Sequence, residues 1–212
     1  MDKNKTKVLE NISYGLYIVT ARDGEKDNGC IINVASQVTE NPLQILITVN
    51  KHNYTHDMIK KTGIFNLNIL TEKTPMPVFE NFGFQSGKDI DKFAKCEVKL
   101  RSGNGILYIP RYTNGYISGK VVNTVDLNSH TLFIAEVTES VQLSEDRSLT
   151  YTYYHEHIKP KPQIKVQGNT GEGKWICKTC GYVYEGADMP EDYICPWCKH
   201  GKSDFYKHAE QS

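Results

Sequence analysis

The sequence predicts a mainly β domain followed by a small domain that is stapled by a metal ion. Before residue 155, short apolar and β-branched segments alternate with turns, which favours a barrel over a doubly wound sheet. Residues 156–173 contain two prolines, three glycines and few core-forming side chains, as expected of a linker. Residues 174–212 contain four of the six cysteines. We therefore predict domains at 1–155 and 174–212, joined by a linker at 156–173.

The composition is that of a globular protein with balanced positive and negative charge. The chain has 212 residues, enough for one medium and one small domain. Lysine plus arginine and aspartate plus glutamate number 25 each, so no charge excess marks a surface for nucleic acid or an anionic membrane. No apolar run approaches the ~18 residues of a transmembrane helix, and no apolar segment follows the charged N-terminus. We therefore expect a cytoplasmic protein that binds neither nucleic acid nor membrane.

Five segments of the larger domain are predicted to be strands, because they are rich in β-branched and aromatic residues or alternate in polarity. They are 14–21, 44–50, 63–70, 115–125 and 131–141. The segments predicted to be helical are fewer and shorter: 5–14, 55–61 and 77–82.

Four cysteines form the clearest chemical motif. Cys177 and Cys180 form one C-x-x-C pair, and Cys195 and Cys198 form a second. Two such turns that face each other bring four thiolates into a tetrahedron, which selects Zn²⁺ or iron. Because so short a segment cannot bury much core, the metal is expected to contribute to its folding. The spacing leaves zinc and iron open, and a reducing cytosol favours either metal over disulfides.

The residues around the four cysteines distinguish between these metals. Six of them are aromatic: Trp175, Tyr182, Tyr184, Tyr193, Trp197 and Phe205. The segments CKTCGYVYEG and YICPWCKHGKSDF resemble rubredoxin over residues 174–207. That resemblance implies one iron ion on the four cysteines, a small core of Tyr182, Tyr184 and Phe205, and electrons carried one at a time. The two pairs are closer together than in free-standing rubredoxins, as in the compact version appended to other redox proteins.

An iron centre with four protein ligands has no open position for a substrate, so it is expected to relay electrons. NADH and NADPH give up two electrons together as a hydride, whereas one iron ion accepts a single electron. A flavin accepts a hydride and releases single electrons, so we expect the larger domain to hold one.

A phosphate site is predicted where the strand at 44–50 runs into a short helix. The letters KHNYT occupy positions 51–55 at this junction. A helix N-terminus offers free N–H groups and the positive end of its dipole, while Lys51 adds a cation and Tyr54 and Thr55 add hydroxyl groups. The chain lacks the glycine-rich motifs of Rossmann and P-loop sites. A capped helix beside a solvated lysine is the alternative.

Over residues 8–154, the order of segments resembles the flavin reductase-like family, whose members are FMN-binding split β-barrels. The resemblance is carried by YGLYIVTARDG, by NVASQVTENPLQILITVNKHNYTHDMIKKTGIFNLNIL and by SHTLFIAEV. It implies that residues 33–39 line the ring and ribityl chain of FMN and that residues 50–55 contact its phosphate. Gln37 stands where a small hydroxyl residue is common, and Ala135 replaces a common glycine.

The candidate site residues follow from these patterns. The cofactor-binding candidates are Asn33, Val34, Ala35, Ser36, Gln37, Asn50, Lys51, Tyr54, Thr55 and Tyr154. Tyr154 can shield one flavin face, although the aromatic run at 151–154 alternates like a strand and is expected to lie mostly in the core. His130 is the catalytic candidate, because the resemblance places it beside the ring where nicotinamide approaches. Its ordinary pKa suits it to steady negative charge on a reduced flavin, and an exposed turn residue is the alternative.

A flavin reductase-like domain followed by a rubredoxin resembles the high-molecular-weight rubredoxins of anaerobes. This resemblance implies an NAD(P)H-dependent oxidoreductase that passes electrons through FMN to iron, and then to a flavodiiron protein that reduces oxygen or nitric oxide. It also implies a homodimer with the flavin near the interface. Two other functions stay open: an NAD(P)H-dependent reductase of free flavin or another small molecule that carries a structural zinc ribbon, and a non-enzymatic binding module.

Overall fold

The computed structural model describes most of the larger domain and four stretches of the smaller one. The described residues are 8–9, 11–94, 96, 98–159, 174–177, 182–186, 188–195 and 200–208. Two of the four cysteines in the predicted metal site, Cys180 and Cys198, and most of the predicted linker therefore lie outside the described residues.

The larger domain is built on one antiparallel sheet of seven strands. Its strands are β1 (Tyr17–Asp23), β2 (Lys26–Ile32), β3 (Ala35–Glu40), β4 (Leu43–Asn50), β5 (Ile64–Leu70), β8 (Thr113–Asp126) and β9 (His130–Gln142). The order across the sheet is β2-β1-β5-β8-β9-β4-β3, which leaves β2 and β3 at the ends. Two short strands, β6 (Leu100–Arg101) and β7 (Leu107–Tyr108), pair with each other. The prediction of a mainly β domain is confirmed.

All five predicted strands are present with slightly different ends, and the strands β2 and β3 were not predicted. β2 carries Asn28 and Gly29 in its middle, and β3 reads ASQVTE with mostly exposed side chains. Neither segment has the run of large apolar or alternating residues that indicates a strand. β3 forms because its backbone pairs with β4 in the assembled sheet.

Two of the three predicted helices are confirmed. Helix α1 spans Tyr54–Thr62 and helix α2 spans Met76–Gly83. α1 ends where Gly63 takes the left-handed conformation with φ 73°, a backbone state that glycine adopts without a steric penalty. The helix predicted over 5–14 is wrong at its end, because residues 11–14 are not helical. Within the described residues, the helices are too short and too polar to cross a membrane.

The aromatic run at 151–154 is helical, which corrects the expected strand alternation. A short helix α3 (Tyr151–Tyr153) continues as a π-helix over Tyr154–Ile158. The Thr150 side chain accepts a hydrogen bond from the Tyr153 N–H at 3.1 Å and caps the helix. The alternating aromatic residues drew the prediction toward a strand in spite of this capping residue. The π-helix also covers the first three residues of the predicted linker, so the domain boundary at 155 stays a prediction.

The sheet buries apolar side chains on both faces because successive residues of a strand point to opposite sides. One face belongs to the first core, whose residues include Val19, Ile47, Phe65 and Phe133. The opposite face belongs to the second core, which includes Ile18, Leu70, Phe79, Phe82 and Tyr154. The second core is closed by α2 and by the helical turns after Leu149, so the part of the sheet around β1 and β5 is covered on both faces.

The smaller domain contains a three-stranded antiparallel sheet with the order β11-β10-β12. Its strands are β10 (Lys174–Cys177), β11 (Val183–Glu185) and β12 (Phe205–His208). A third core gathers Cys177, Met189, Cys195 and Phe205, with Tyr182 and Tyr184 partly buried against it. Phe205 was correctly predicted in this core, and the two tyrosines line its edge.

Candidate functional site

The predicted flavin-phosphate residues and the predicted catalytic histidine meet at one end of the larger sheet. Asn50, the last residue of β4, pairs with His130, the first residue of β9. The Lys51 N–H donates to the Ser129 carbonyl oxygen at 3.0 Å, which holds the turn before His130 against the turn before α1. Residues separated widely in sequence therefore share one edge of the barrel.

The N-terminus of α1 opens at this same edge. Its N-cap residue, Asn53, is extended (φ −76°, ψ 128°), and within the described part of the chain no side chain caps the helix. The Asn53 N–H instead donates to the Asn50 carbonyl oxygen at 3.0 Å. Helix N–H groups that no side chain satisfies favour an anion, as does the helix dipole. Asp57 in the first turn opposes this preference in part.

Lys51, the predicted phosphate cation, forms an ion pair with Asp126 at the end of β8. The ammonium lowers the pKa of the Asp126 carboxyl through a hydrogen bond. Both side chains reach solvent, and exposed pairs of this kind contribute little to stability. A phosphate group can therefore compete with Asp126 for Lys51 at small cost.

Two further cations approach Tyr54, and no sequence motif indicated them. The Lys26 ammonium lies 4.7 Å from the centre of the Tyr54 ring, and the Lys88 ammonium lies 5.9 Å from it. Both distances are within the range of cation–π contact. Lys26 comes from β2 and Lys88 from the segment after α2, so only the folded chain brings them to the first residue of α1.

Thr55 does not present its side chain to the helix N-terminus as predicted. It is fully buried, and its hydroxyl accepts a hydrogen bond from the Asn28 side-chain amide at 3.0 Å. It also hydrogen-bonds the buried Cys30 thiol, whose pKa is raised by burial. The Asn28 side-chain oxygen has no hydrogen-bond partner within the described residues. A contact between Thr55 and a phosphate stays a prediction and would involve its backbone N–H.

The stretch predicted to line the flavin ring runs along the edge strand β3. Val34 accepts a hydrogen bond from the Thr48 N–H at 3.1 Å, which starts the pairing of this stretch with β4, and Asn33 precedes it. Ala35 packs against the first core, whereas Ser36 and Gln37 are exposed. An edge strand leaves one row of backbone donors and acceptors without a strand partner, which suits the polar rim of a flat ring.

A cavity of about 310 Å³ lies beside this stretch. Ala35, Ser36 and Gln37 line it, and Tyr17, Leu67 and Val137 complete its wall. The small side chains of Ala35 and Ser36 on one side and the apolar ones on the other fit a planar aromatic group. Three of the residues predicted to line the flavin ring, Ala35, Ser36 and Gln37, therefore border this cavity, and the assignment of residues 33–37 to a flavin stays a prediction.

His130 is half-buried, and its Nδ1 lies 2.8 Å from the Ser129 hydroxyl. Burial lowers the pKa of this histidine from its ordinary value of 6.5. The neutral imidazole therefore dominates at neutral pH. We predicted that His130 steadies negative charge, and the structure favours a hydrogen bond from a neutral ring over a full positive charge.

His56 lies directly beneath this edge and was not singled out from the sequence. Its side chain is 4 % exposed, with Nε2 at 2.9 Å from the Thr131 hydroxyl and Nδ1 at 3.0 Å from the Asp57 carboxylate. Its ring also lies 5.7 Å from that of Phe133. These contacts join α1 to β9 next to His130. The only sequence indication was a histidine in the first turn of a predicted helix.

Tyr154 is not brought together with the other candidates. It is 6 % exposed in the second core, where its ring centre lies 4.5 Å from that of Phe79. The expectation that it lies mostly in the core agrees with this position. A contact between Tyr154 and a flavin stays a prediction.

The first cysteines of the two C-x-x-C pairs start loops of the same construction. The Cys177 N–H donates to the Tyr182 carbonyl oxygen at 2.8 Å, and the Cys195 N–H donates to the His200 carbonyl oxygen, also at 2.8 Å. Strand-type pairing closes both loops, at Ile176 with Val183 and at Ile194 with Gly201. Two loops that repeat one geometry are what a four-thiolate site requires.

Cys177 and Cys195 are 1 % and 0 % exposed. Aromatic rings surround them, with Tyr184 and Tyr193 at 4.7 Å and Tyr193 and Phe205 at 5.6 Å between ring centres. Burial raises the pKa of Tyr193, as expected in such apolar surroundings. Buried thiols in two matched loops fit a tetrahedral metal ion. Among the described residues alone, no three metal-binding side chains cluster.

The fold and this pair of sites define a class: a β-barrel of the flavin reductase fold joined to a small cysteine-rich electron-transfer domain. The NADH:FAD oxidoreductase SgcE6 of Streptomyces globisporus has a similar structure, with a TM-score of 0.61 and 18 % identity over 70 % of this chain and 88 % of that chain. The flavin reductase PheA2 gives a TM-score of 0.57 at 24 % identity, over 71 % of this chain and 93 % of that chain. Because both identities are below 25 %, these similarities show a shared fold only.

Sequence comparison narrows the class further. Residues 9–161 match the flavin reductase like domain, and residues 175–206 match the rubrerythrin, rubredoxin-like domain. A high molecular weight rubredoxin of Moorella thermoacetica is 34 % identical, over 94 % of this chain and 98 % of its own length. A ferric-chelate reductase (NAD(P)H) of Archaeoglobus fulgidus is 37 % identical, over 68 % of this chain and 85 % of its own length.

The chain therefore belongs to the flavin reductase-like family, in the group that carries a C-terminal rubredoxin-like domain and is known as the high-molecular-weight rubredoxins. It is accordingly an oxidoreductase and a flavoprotein with an electron-transfer domain. The alternative of a non-enzymatic binding module is not supported.

Proposed function

We propose that the protein passes electrons from NAD(P)H through FMN to one iron ion, and from the iron to a separate protein acceptor. The iron ligands are Cys177, Cys180, Cys195 and Cys198. The acceptor is a flavodiiron-type reductase of oxygen or nitric oxide. The observation that carries this proposal is the pair of matched loops at Cys177 and Cys195, on the same chain as a flavin reductase-like barrel.

The residues at the barrel edge fit a flavin mononucleotide. A single helix N-terminus with Lys51 beside it suits one terminal phosphate. The small side chains of Ala35 and Ser36 and the exposed edge at Gln37 suit the ring. Asn50 and His130 lie between these two regions. Bound there, the flavin supplies the conversion of a two-electron donor into single electrons.

His130 is the catalytic residue in this proposal. Its Nδ1 is engaged with the Ser129 hydroxyl, so the other ring nitrogen is the one available to a ligand. A neutral imidazole donates or accepts one hydrogen bond there, depending on its tautomer. His56 contacts the Thr131 hydroxyl through Nε2 and so helps to fix the start of β9, where His130 lies.

The four-cysteine centre serves as a relay in this proposal. With every coordination position taken by protein sulfur, the metal has no place for a substrate. The buried cysteines and the surrounding aromatic rings exclude water, which favours a change of charge without a change of ligands. Zinc in the same site would give only a structural ribbon and an NAD(P)H-dependent reductase of small molecules.

A homodimer in the cytoplasm completes the proposal. The hairpin of β3 and β4 exposes Val38 and Leu43, which are 45 % and 43 % exposed. Apolar side chains on an edge strand invite a further partner. A second copy of the chain would cover them beside the flavin-binding edge.

Anaerobic spectroscopy of the full-length protein tests the proposal. Protein from native-like, iron-replete expression is mixed with NADH or NADPH, and the visible absorbances of flavin and ferric iron are followed while metal content is counted. Both absorbances should bleach, and complete reduction of two protomers should consume three NAD(P)H, because two flavins accept four electrons and two ferric ions accept two. Ferric absorbance that persists while flavin bleaches contradicts the relay. Zinc in place of iron in such protein supports the small-molecule reductase instead.

A further inference from the structure

One aromatic side chain of the barrel packs into the core of the rubredoxin-like domain. Phe84 directly follows α2 and lies against the third core, the one that contains Cys177 and Cys195. Its neighbours Phe79 and Phe82 are 2 % and 4 % exposed in the second core of the barrel. One short segment therefore divides its phenylalanines between two domains.

The end of α2 explains this division. Phe79 and Phe82 are three residues apart, so both fall on the buried face of the helix. Phe84 is the C-cap residue, with φ −108° and ψ −4°, and the chain leaves the helix there. Its side chain therefore does not lie on the helix face that packs into the barrel core.

The third core is small, so one added ring matters to it. Among the described residues of this domain, its buried members are Cys177, Met189, Cys195 and Phe205. Around them lie partly buried aromatic rings, and Phe84 is the member of this group that the barrel supplies. Small domains bury too little apolar area to be stable alone, and aromatic rings contribute a large share of the buried area at contacts.

We propose that Phe84 docks the rubredoxin-like domain on the barrel, and that the docked arrangement is the one in which the barrel delivers electrons to the four-cysteine centre. The second part rests on the proposed function. Docking at Phe84 places the end of α2 against the core that contains two of the four cysteines. In each cycle, one NAD(P)H oxidised to NAD(P)⁺ supplies the two electrons that reduce two ferric centres to ferrous.

Tryptophan fluorescence tests the docking without any electron transfer. Both tryptophans of the chain, Trp175 and Trp197, belong to the rubredoxin-like domain, so their time-resolved anisotropy reports how that domain tumbles. The full chain is loaded with zinc, because Zn²⁺ has no redox chemistry. The natural protein should show only the slow tumbling of the whole molecule. Phe84→Ala should add a fast component, and Phe84→Leu should restore most of the slow one.

Ile90 provides a matched control on the barrel. It is 37 % exposed, lies six residues further along the same segment, and does not belong to the third core. Ile90→Ala should leave the anisotropy decay unchanged. A fast component in the natural protein, or a Phe84→Ala protein that tumbles like the natural one, overturns the docking.

The iron-loaded protein tests the second part. In anaerobic stopped-flow with NADH, Phe84→Ala should leave flavin bleaching unchanged and slow iron bleaching about tenfold, equivalent to about 1.4 kcal/mol of docking free energy. Equal iron bleaching in both proteins overturns the electron-delivery role. If NADH bleaches no flavin even in the natural protein, the proposed function fails, whereas the anisotropy result still decides the docking.

Discussion

Lys92 is a buried cation in the barrel, and discharging it at alkaline pH should stabilise the fold. Its side chain is almost fully buried at 3 % exposure. The ammonium donates to the Gly29 carbonyl oxygen at 2.9 Å and to the Phe82 carbonyl oxygen at 3.0 Å. Burial lowers its pKa from 10.5 to about 8, although the nearby Cys30 thiol opposes this shift in part. Carbonyl oxygens solvate the ammonium without neutralising it.

The size and direction of the effect follow from linkage. The lowered pKa corresponds to about 3 kcal/mol of penalty on the charged form in the folded state. Below pH 8, Lys92 is charged in both the folded and the unfolded chain, so the penalty is constant. Between pH 8 and 10.5, the unfolded chain binds more protons than the folded one. The free energy of unfolding should therefore rise across this interval, by up to about 3 kcal/mol.

Urea denaturation of the natural protein and of Lys92→Met measures this contribution. Far-ultraviolet circular dichroism follows the barrel at several pH values from neutral to alkaline. Burial raises the pKa of Cys30, so its stabilisation should fall as the pH rises above 9.0 in both proteins, and further in Lys92→Met, which lacks the nearby ammonium. The difference between the two unfolding free energies should shift in favour of the natural protein as the pH rises. A constant difference across this interval refutes the reasoning.

Three further predictions concern the barrel core, the histidine and the metal centre. A Cβ on Gly119 would lie 2.7 Å from the Phe65 ring, so Gly119→Ala should reduce the free energy of unfolding, measured in urea, by about 1–3 kcal/mol. Adding Phe65→Leu should recover part of this loss. An unchanged urea midpoint in Gly119→Ala contradicts the prediction. Because burial lowers the pKa of His130 from 6.5, any change in the rate of flavin reduction by NADH that follows protonation of this ring should have its midpoint below pH 6.5. A midpoint at or above pH 6.5 contradicts the prediction. Cys195→Ser should abolish the ferric thiolate absorbance, while NADH still bleaches the flavin. The control Cys96→Ser lies outside the third core and should leave the ferric absorbance and the flavin bleaching unchanged. Visible spectra together with metal counting measure these outcomes.

Local patterns were sufficient to predict the four-cysteine motif of the small domain. Two C-x-x-C pairs carry their own turn geometry, and Cys177 and Cys195 do start two loops with identical hydrogen bonds. The strands of the larger domain were equally visible, because apolar residues recur along one buried face, as with Ile45, Ile47 and Val49 of β4. Each of these features is encoded within a few consecutive residues.

Features that depend on distant residues needed the tertiary structure. β3 has no apolar pattern of its own and is a strand only because β4 pairs with it. Lys26 and Lys88 reach Tyr54 from two other segments, and Asp126 engages Lys51 from the end of β8. The sequence alone thus determined the fold class and the four-cysteine motif, and the barrel edge that it assigns to a flavin stays a prediction. Only the tertiary structure decided which charges surround that edge, because electrostatic contacts depend on distance through space and not along the chain.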